Sequence, residues 1–192
     1  MKLLESLTRI IYRLYHLPLF IVFKVQYKTF PRIKGRMFLR NKGTMQLGSG
    51  VRINSLYAAN AIGGQTFMSI KVRPGATLKI GNNVALSNSA IYCADSISLE
   101  DDVFIGGDCK IYDTDFHSVL YDERLAVPEE GKRTAPVCIK KGVLVGTGSI
   151  VLKGVTIGEK SVIGAGSVVS KNIPPNEIWG GNPIQFIRKI EQ

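Results

Sequence analysis

Six aliphatic residues, Ile139, Val145, Val151, Ile157, Ile163 and Val169, stand six positions apart without a miss. Four residues after each of the first five comes Val143, Ser149, Val155, Ser161 or Ser167, always small or β-branched, and Gly146, Gly158 and Gly164 directly follow repeat aliphatics. A lone strand repeats every 2 residues and a helix every 3.6, so a period of six describes neither. It fits a solenoid whose flat sides are each one short strand plus a turn, three sides making a triangular coil of about eighteen residues. The aliphatic residue points into the prism, the residue four later fills a tight corner, and glycine takes up turn dihedrals closed to other residues. Successive coils then stack at the strand spacing of about 4.8 Å.

The same grammar runs more loosely upstream, through Leu47-Gly48, Val51-Arg52-Ile53, Ile80-Gly81-Asn82-Asn83-Val84, Leu99-Glu100-Asp101-Asp102-Val103 and Ile105-Gly106, with a slip of register between Leu86 and Leu99. The fold class expected is therefore all-β, a parallel β-helix over 43–173. One inserted loop, 112–136, interrupts it. The segment 1–42 precedes it, and a tail with a short C-terminal helix occupies 174–192. Periodicity does not give the hand of the coil. A hydrophobic fraction of 45% with 21% charged residues excludes disorder.

The net charge of +10 is unevenly placed. Lys2, Arg9, Arg13, Lys24, Lys28, Arg32, Lys34, Arg36, Arg40 and Lys42 face the single acid Glu5 in the first 42 residues, and the rest of the chain is nearly neutral. Leu3, Leu4, Leu7, Ile10, Ile11, Leu14 and Leu17 mark one apolar face of a helix, with His16 among the polar residues opposite and Pro18 positioned to end or bend it. The run Leu19 to Phe23 is far short of the roughly 20 apolar residues of a membrane span. Arg9 and Arg13 interrupt the apolar stretch as no secretory signal would, which points to a cytoplasmic protein. Two readings stand: this helix caps the body, or it lies on an anionic membrane at the inner face of the cell membrane. Both hold together if the leucines pack inward and Arg9, Arg13 and Lys24 face lipid. Basic residues interleaved with aromatics on the body are missing, which argues against nucleic acid.

Between Ile111 and Val137 the repeat gives way to a polar stretch that begins Tyr112-Asp113-Thr114-Asp115-Phe116-His117-Ser118. An excursion of that length from a regular solenoid suggests a role. His117 is the only histidine beyond the N-terminal helix. A zinc site built from three histidines is thereby excluded, and no metal is expected. Asp113 and Asp115, four and two residues earlier, are candidates to orient its ring. Cys93, Cys109 and Cys138 lack metal-type spacing and read as reduced, buried thiols.

The block Ile139 to Ile190, with Val155-Thr156-Ile157-Gly158, Val162-Ile163-Gly164-Ala165-Gly166-Ser167-Val168-Val169, Ile173-Pro174-Pro175-Asn176 and Gly181-Asn182-Pro183, resembles the hexapeptide-repeat acyltransferases. Within them it is similar to the galactoside, maltose and xenobiotic acetyltransferases and to sugar O-acetyltransferases of capsule and lipopolysaccharide. That resemblance implies a left-handed coil, a homotrimer, acetyl coenzyme A as co-substrate, and His117 as general base. It implies Asn88 as the oxyanion donor, against which a structural asparagine ladder is an equal reading. For coenzyme A it points to backbone groups at Thr147 and Ala165, to Ser170 and Lys171, and to Arg188 in the terminal helix. Two positions depart from the family pattern: Leu144 stands where a Trp is common, and Gln185 where a second basic residue is.

Three functions fit these features. The first is acetyl transfer to a sugar hydroxyl, with a surface-polysaccharide precursor as the acceptor suggested by the resemblance. The second keeps the fold and changes the acceptor to an amine, as in an aminosugar or antibiotic. The third is a β-helix scaffold without activity, docked on a membrane. Side chains from Val119 to Pro136 are expected to set the acceptor.

Overall fold

The computed structural model describes residues 2–64, 66–126 and 131–191. Helix α1 (Lys2–Val22) comes first and continues one turn past Pro18 rather than stopping there. Proline removes a bond to the carbonyl four residues back. That carbonyl belongs to Leu14, which lies on the exposed face where water can satisfy it. Lys24, at φ 49°, then turns the chain.

The chain next winds in three-sided coils. Coil 1 contains β1 (Gln26–Tyr27), β2 (Arg32–Gly35) and β3 (Met37–Asn41). Coil 2 contains β4 (Thr44–Leu47), β5 (Arg52–Ser55) and β6 (Met68–Val72), and coil 3 contains β7 (Thr77–Ile80), β8 (Ala85–Ser87) and β9 (Ala90–Cys93). Coil 4 contains β10 (Ser96–Leu99), β11 (Phe104–Ile105) and β12 (Lys110–Tyr112), and a short helix α2 (Tyr121–Leu125) follows in the inserted loop. Coil 5 contains β13 (Val137–Ile139), β14 (Leu144–Val145) and β15 (Ile150–Val151), and coil 6 contains β16 (Thr156–Ile157), β17 (Val162–Ile163) and β18 (Val168–Val169). The strands stack into three sheets: A starts at β1, B at β2 and C at β3, and every pairing between coils is parallel. The six repeat aliphatics are all buried on the prism axis.

The β-helix starts at Gln26, well before residue 43. In β2 and β3 buried Ile33, Met37 and Leu39 alternate with exposed Arg32, Lys34, Arg36, Phe38 and Arg40. The basic residues of this segment are thus the outer surface of the first coil. A second insertion, 56–67, interrupts the corner between sheets B and C with two short 3-10 turns, Tyr57–Ala59 and Ala61–Gly63.

At the other end the expected helix is a hairpin. Strand β19 (Glu177–Gly180) extends sheet B in parallel with β17, and β20 (Gln185–Lys189) returns antiparallel to it. Trp179 and Phe186 meet across the pair at 5.8 Å between ring centroids, a contact that favours strand over helix.

Helix α1 closes the open N-terminal end through its His16 side and not through the leucines that the capping reading turned inward. His16 and Phe20 are buried against the first coil, with Phe20 5.1 Å from Phe30, and the Arg13 guanidinium also lies over Phe30. Leu7, Ile11, Leu14, Ile21 and Val22 point outward, each more than half exposed. The side chains of Leu3 and Leu4 lie outside the described residues.

Candidate active site

The inserted loop leaves the corner between sheets C and A, and its two ends are clasped. Asp115 N–H donates to Arg133 O at 3.0 Å, Ala135 N–H donates to Asp113 O at 3.0 Å, and Thr114 bridges Thr134. Residues 127–130, part of the span expected to set the acceptor, lie outside the described residues. Ser118 Oγ donates to Glu123 Oε2 at 2.6 Å and so ties α2 to the start of the loop.

Within this clasp the chain reverses sharply. Phe116 adopts φ 63°, a conformation unusual for a bulky residue, and its N–H donates to Thr114 Oγ1 at 3.3 Å. Its ring rests on Tyr92 of β9 (4.7 Å) and Tyr112 of β12 (5.3 Å), folding the loop over the outer face of sheet C. His117 follows, exposed, with its N–H on Asp115 O at 2.7 Å. Strain of this kind costs about 1–3 kcal/mol and persists only where surrounding contacts enforce it. Here the aromatic trio does so, and sequence spacing did not reveal this packing of Phe116.

The two aspartates divide. Asp115 is half-buried, with its carboxylate 3.4 Å from Lys153 Nζ, which pins the loop to coil 5. Asp113 does not face His117 as expected. It is fully buried and accepts from Ala94 N–H (2.6 Å) and Asp95 N–H (2.8 Å), holding the preceding coil's corner. It also sits 3.6 Å from Cys93 Sγ, and burial together with this carboxylate pushes the Cys93 thiol up to about 12. Cys93 and Cys109 are therefore inert core thiols, whereas Cys138 is only half-buried.

Asn88 fits the structural reading and is not presented as an oxyanion donor. It turns the corner from sheet B to sheet C at φ 38°, a conformation asparagine tolerates, and is fully buried beneath the 56–67 insertion. Its Nδ2 points to Asn60 O at 3.4 Å, and its Oδ1 has no partner among the described residues.

The residues expected to meet coenzyme A gather in the last coils. Thr147 and Ala165 occupy successive turns of the corner between sheets B and C. The Thr147 hydroxyl donates to Gly107 O at 2.6 Å and its carbonyl accepts from Gly166 N–H at 2.8 Å, so these groups already serve the coil. Ala165, Ser170 and Lys171 are exposed. Lys171 Nζ lies 5.4 Å above the Trp179 ring, and Arg188, on β20 and not on a helix, is exposed in the same hairpin opposite Ile178. Two cations and a small exposed corner suit a phosphate and an approaching pantetheine. Among the described residues no cluster of metal-ligating side chains occurs.

Residues 139–171 match the family model described as bacterial transferase hexapeptide (six repeats). A galactoside O-acetyltransferase of Lactococcus lactis is 40% identical over 117 residues, which is 57% of this chain and 55% of that protein. The chain spans about half the length of the curated relatives it matches. Among solved structures, a hexapeptide-repeat acetyltransferase of Vibrio cholerae complexed with acetyl coenzyme A has a TM-score of 0.57 at 26% identity. It covers 65% of this chain and 66% of its own. A Bacillus cereus N-acyltransferase superposes over 91% of this chain and 89% of its own, with a TM-score of 0.71 at 21% identity, a likeness of fold.

Proposed function

We propose, from the premise that this chain is related to the hexapeptide-repeat transferases, that it is a left-handed β-helix acyltransferase moving acetyl from acetyl coenzyme A to a sugar hydroxyl. His117 is the general base. The observation that carries this reading is the exposed His117 directly after the strained Phe116, whose ring is packed on its tyrosine platform over sheet C. A sugar hydroxyl is a weak nucleophile near neutral pH, and imidazole is the side chain suited to remove its proton as attack proceeds. His117 takes the hydroxyl proton while the new C–O bond forms, and returns it to the sulfur when the C–S bond breaks. Asp115 orients the loop through Lys153.

Thr147 and Ala165 lie at the corner between sheets B and C, whereas His117 springs from the corner between C and A. One chain therefore holds the two halves of the site a full sheet apart, which supports a homotrimer in which neighbouring copies complete each site. The outward apolar stripe of α1, beside Lys24 and the basic first coil, supports peripheral contact with an anionic membrane at the cytoplasmic face. Anionic vesicles should carry the protein in a flotation gradient and neutral ones should not, and Leu14→Glu should abolish flotation.

The decisive experiment follows release of free thiol from acetyl coenzyme A in the presence of candidate sugars. His117→Ala should lower kcat by about 10²–10⁴-fold with unchanged assembly. Full activity in that variant removes His117 from the mechanism. Mild alkali should strip the acetyl group from the product, and a resistant amide would instead assign an N-acetyltransferase.

A further inference from the structure

The outer face of sheet C carries a column of side chains that leads away from His117 toward the N-terminal end. Tyr112 pairs with Tyr92, Tyr92 with Lys71, and Lys71 with Arg40. Lys42 and Arg73 continue β3 and β6 at the same corner from which the His117 loop departs, and with Arg40 and Lys71 they line a concavity of about 210 Å³ that contains no carboxylate. Arg40 and Lys71 stand directly opposite each other on neighbouring strands, an arrangement of like charges that destabilises a sheet. None of the four makes an ion pair among the described residues, and Asp95, one coil on, points its exposed side chain at no cation. Lys71 Nζ lies 5.1 Å from the centre of Tyr92, so the cationic and aromatic surfaces are continuous.

We infer that the acceptor is a sugar bearing a phosphate or diphosphate, with the anion held by Arg40, Lys42, Lys71 and Arg73 and the sugar lying against the exposed Phe116 ring, next to His117. This rests on the acyltransferase reading above. From β12 to β6 is two coil spacings, about 10 Å, roughly the reach of one sugar ring with a diphosphate. Paired cations recognise phosphate through charge-assisted hydrogen bonds, and an aromatic face suits the apolar side of a pyranose. Coenzyme A is accommodated at the opposite end of the stack, where Lys171 and Arg188 stand, so the donor's phosphates and the acceptor's do not compete. The unmet repulsion within the quartet is relieved when the anion binds.

The test is isothermal titration of the full chain with inorganic pyrophosphate and, separately, with coenzyme A. Pyrophosphate affinity should fall about tenfold or more in Arg40→Gln/Lys71→Gln and stay within about twofold in Lys171→Gln, with the opposite pattern for coenzyme A. Equal pyrophosphate binding by wild type and the Arg40→Gln/Lys71→Gln variant overturns the site, as does a loss of coenzyme A affinity in that variant, which would make the quartet the donor's. Far-ultraviolet circular dichroism of the variants, with Arg40→Lys as a charge-preserving control, separates misfolding from lost binding. Uridine diphosphate glucose and vesicles containing a polyprenyl diphosphate sugar then distinguish a soluble from a lipid-linked source of the same chemistry. These readouts need no turnover, so their failure is distinct from a failure of His117→Ala to impair transfer.

Discussion

A proton on His16 has no partner waiting for it. The ring is buried in α1, its Nδ1–H donates to Tyr12 O at 2.7 Å, Tyr15 packs edge-on at 4.8 Å, and Nε2 meets no acceptor among the described residues. Burial holds its pKa below the ordinary 6.5. The unfolded chain therefore binds more protons than the folded one once pH drops below 6.5, so stability is full above that value and declines as pH falls through the folded pKa. Thermal midpoints measured from pH 7.5 to 5 should drop in wild type, with a shallower slope in His16→Phe. Phe116 makes a different prediction. Removing its ring in Phe116→Ala releases the loop from Tyr92 and Tyr112, so kcat should fall by about tenfold or more while the Kd for coenzyme A and the melting temperature change little. Steady-state kinetics beside titration checks this split. Of these residues, His117 was legible as chemistry because histidine is rare in the chain. The separation of Asp113 from Asp115 was not, since sequence spacing does not say which of two nearby carboxylates turns inward to cap the amides of the preceding coil. Asn88 stands on the same footing: a positive φ at a corner draws asparagine for backbone reasons alone.

At the scale of the coil, residue count per turn explains what the repeat revealed and what it concealed. Cys138 pairs with Thr156, eighteen positions on, and the six-residue period is exact in that region. Thr77 pairs with Ser96, nineteen on, and Gln26 with Gln46, twenty on. The early coils have longer sides, such as β6 and β9, in which two or three residues point inward in alternation. The period-two stretch from Arg32 to Asn41, grouped by its charge with the basic segment 1–42, is thus the first coil. Corner glycines differ in what they tolerate. A Cβ at Gly146 would stand 2.6 Å from Ala165 N of the next coil, whereas at Gly166, φ 70°, it would meet nothing within 4 Å. Gly166→Ala should therefore cost only the left-handed conformation, about 1–2 kcal/mol. Gly146→Ala must push two coils apart, and urea unfolding should show the larger loss there.

For the molecule as a whole, the stack has a direction. The positions proposed for the acyl donor gather toward its C-terminal coils, the basic quartet toward its N-terminal coils, and the loop bearing His117 emerges between them. The fold was legible through the strict repeat of the last coils. Its two ends were not, because a cap answers to whatever surface the stack leaves open rather than to the period. The hairpin at the C-terminal end has a consequence of its own. A ladder of parallel strands is a template that recruits more of the same, and β20 meets that template running the wrong way, presenting an edge on which another coil in register does not continue. It works as a stop mark for further stacking. A chain truncated after Ile173 should keep its coils yet pair through its uncovered last coil, α1 still closing the other end, so light scattering should show a larger particle than the full chain gives at the same concentration.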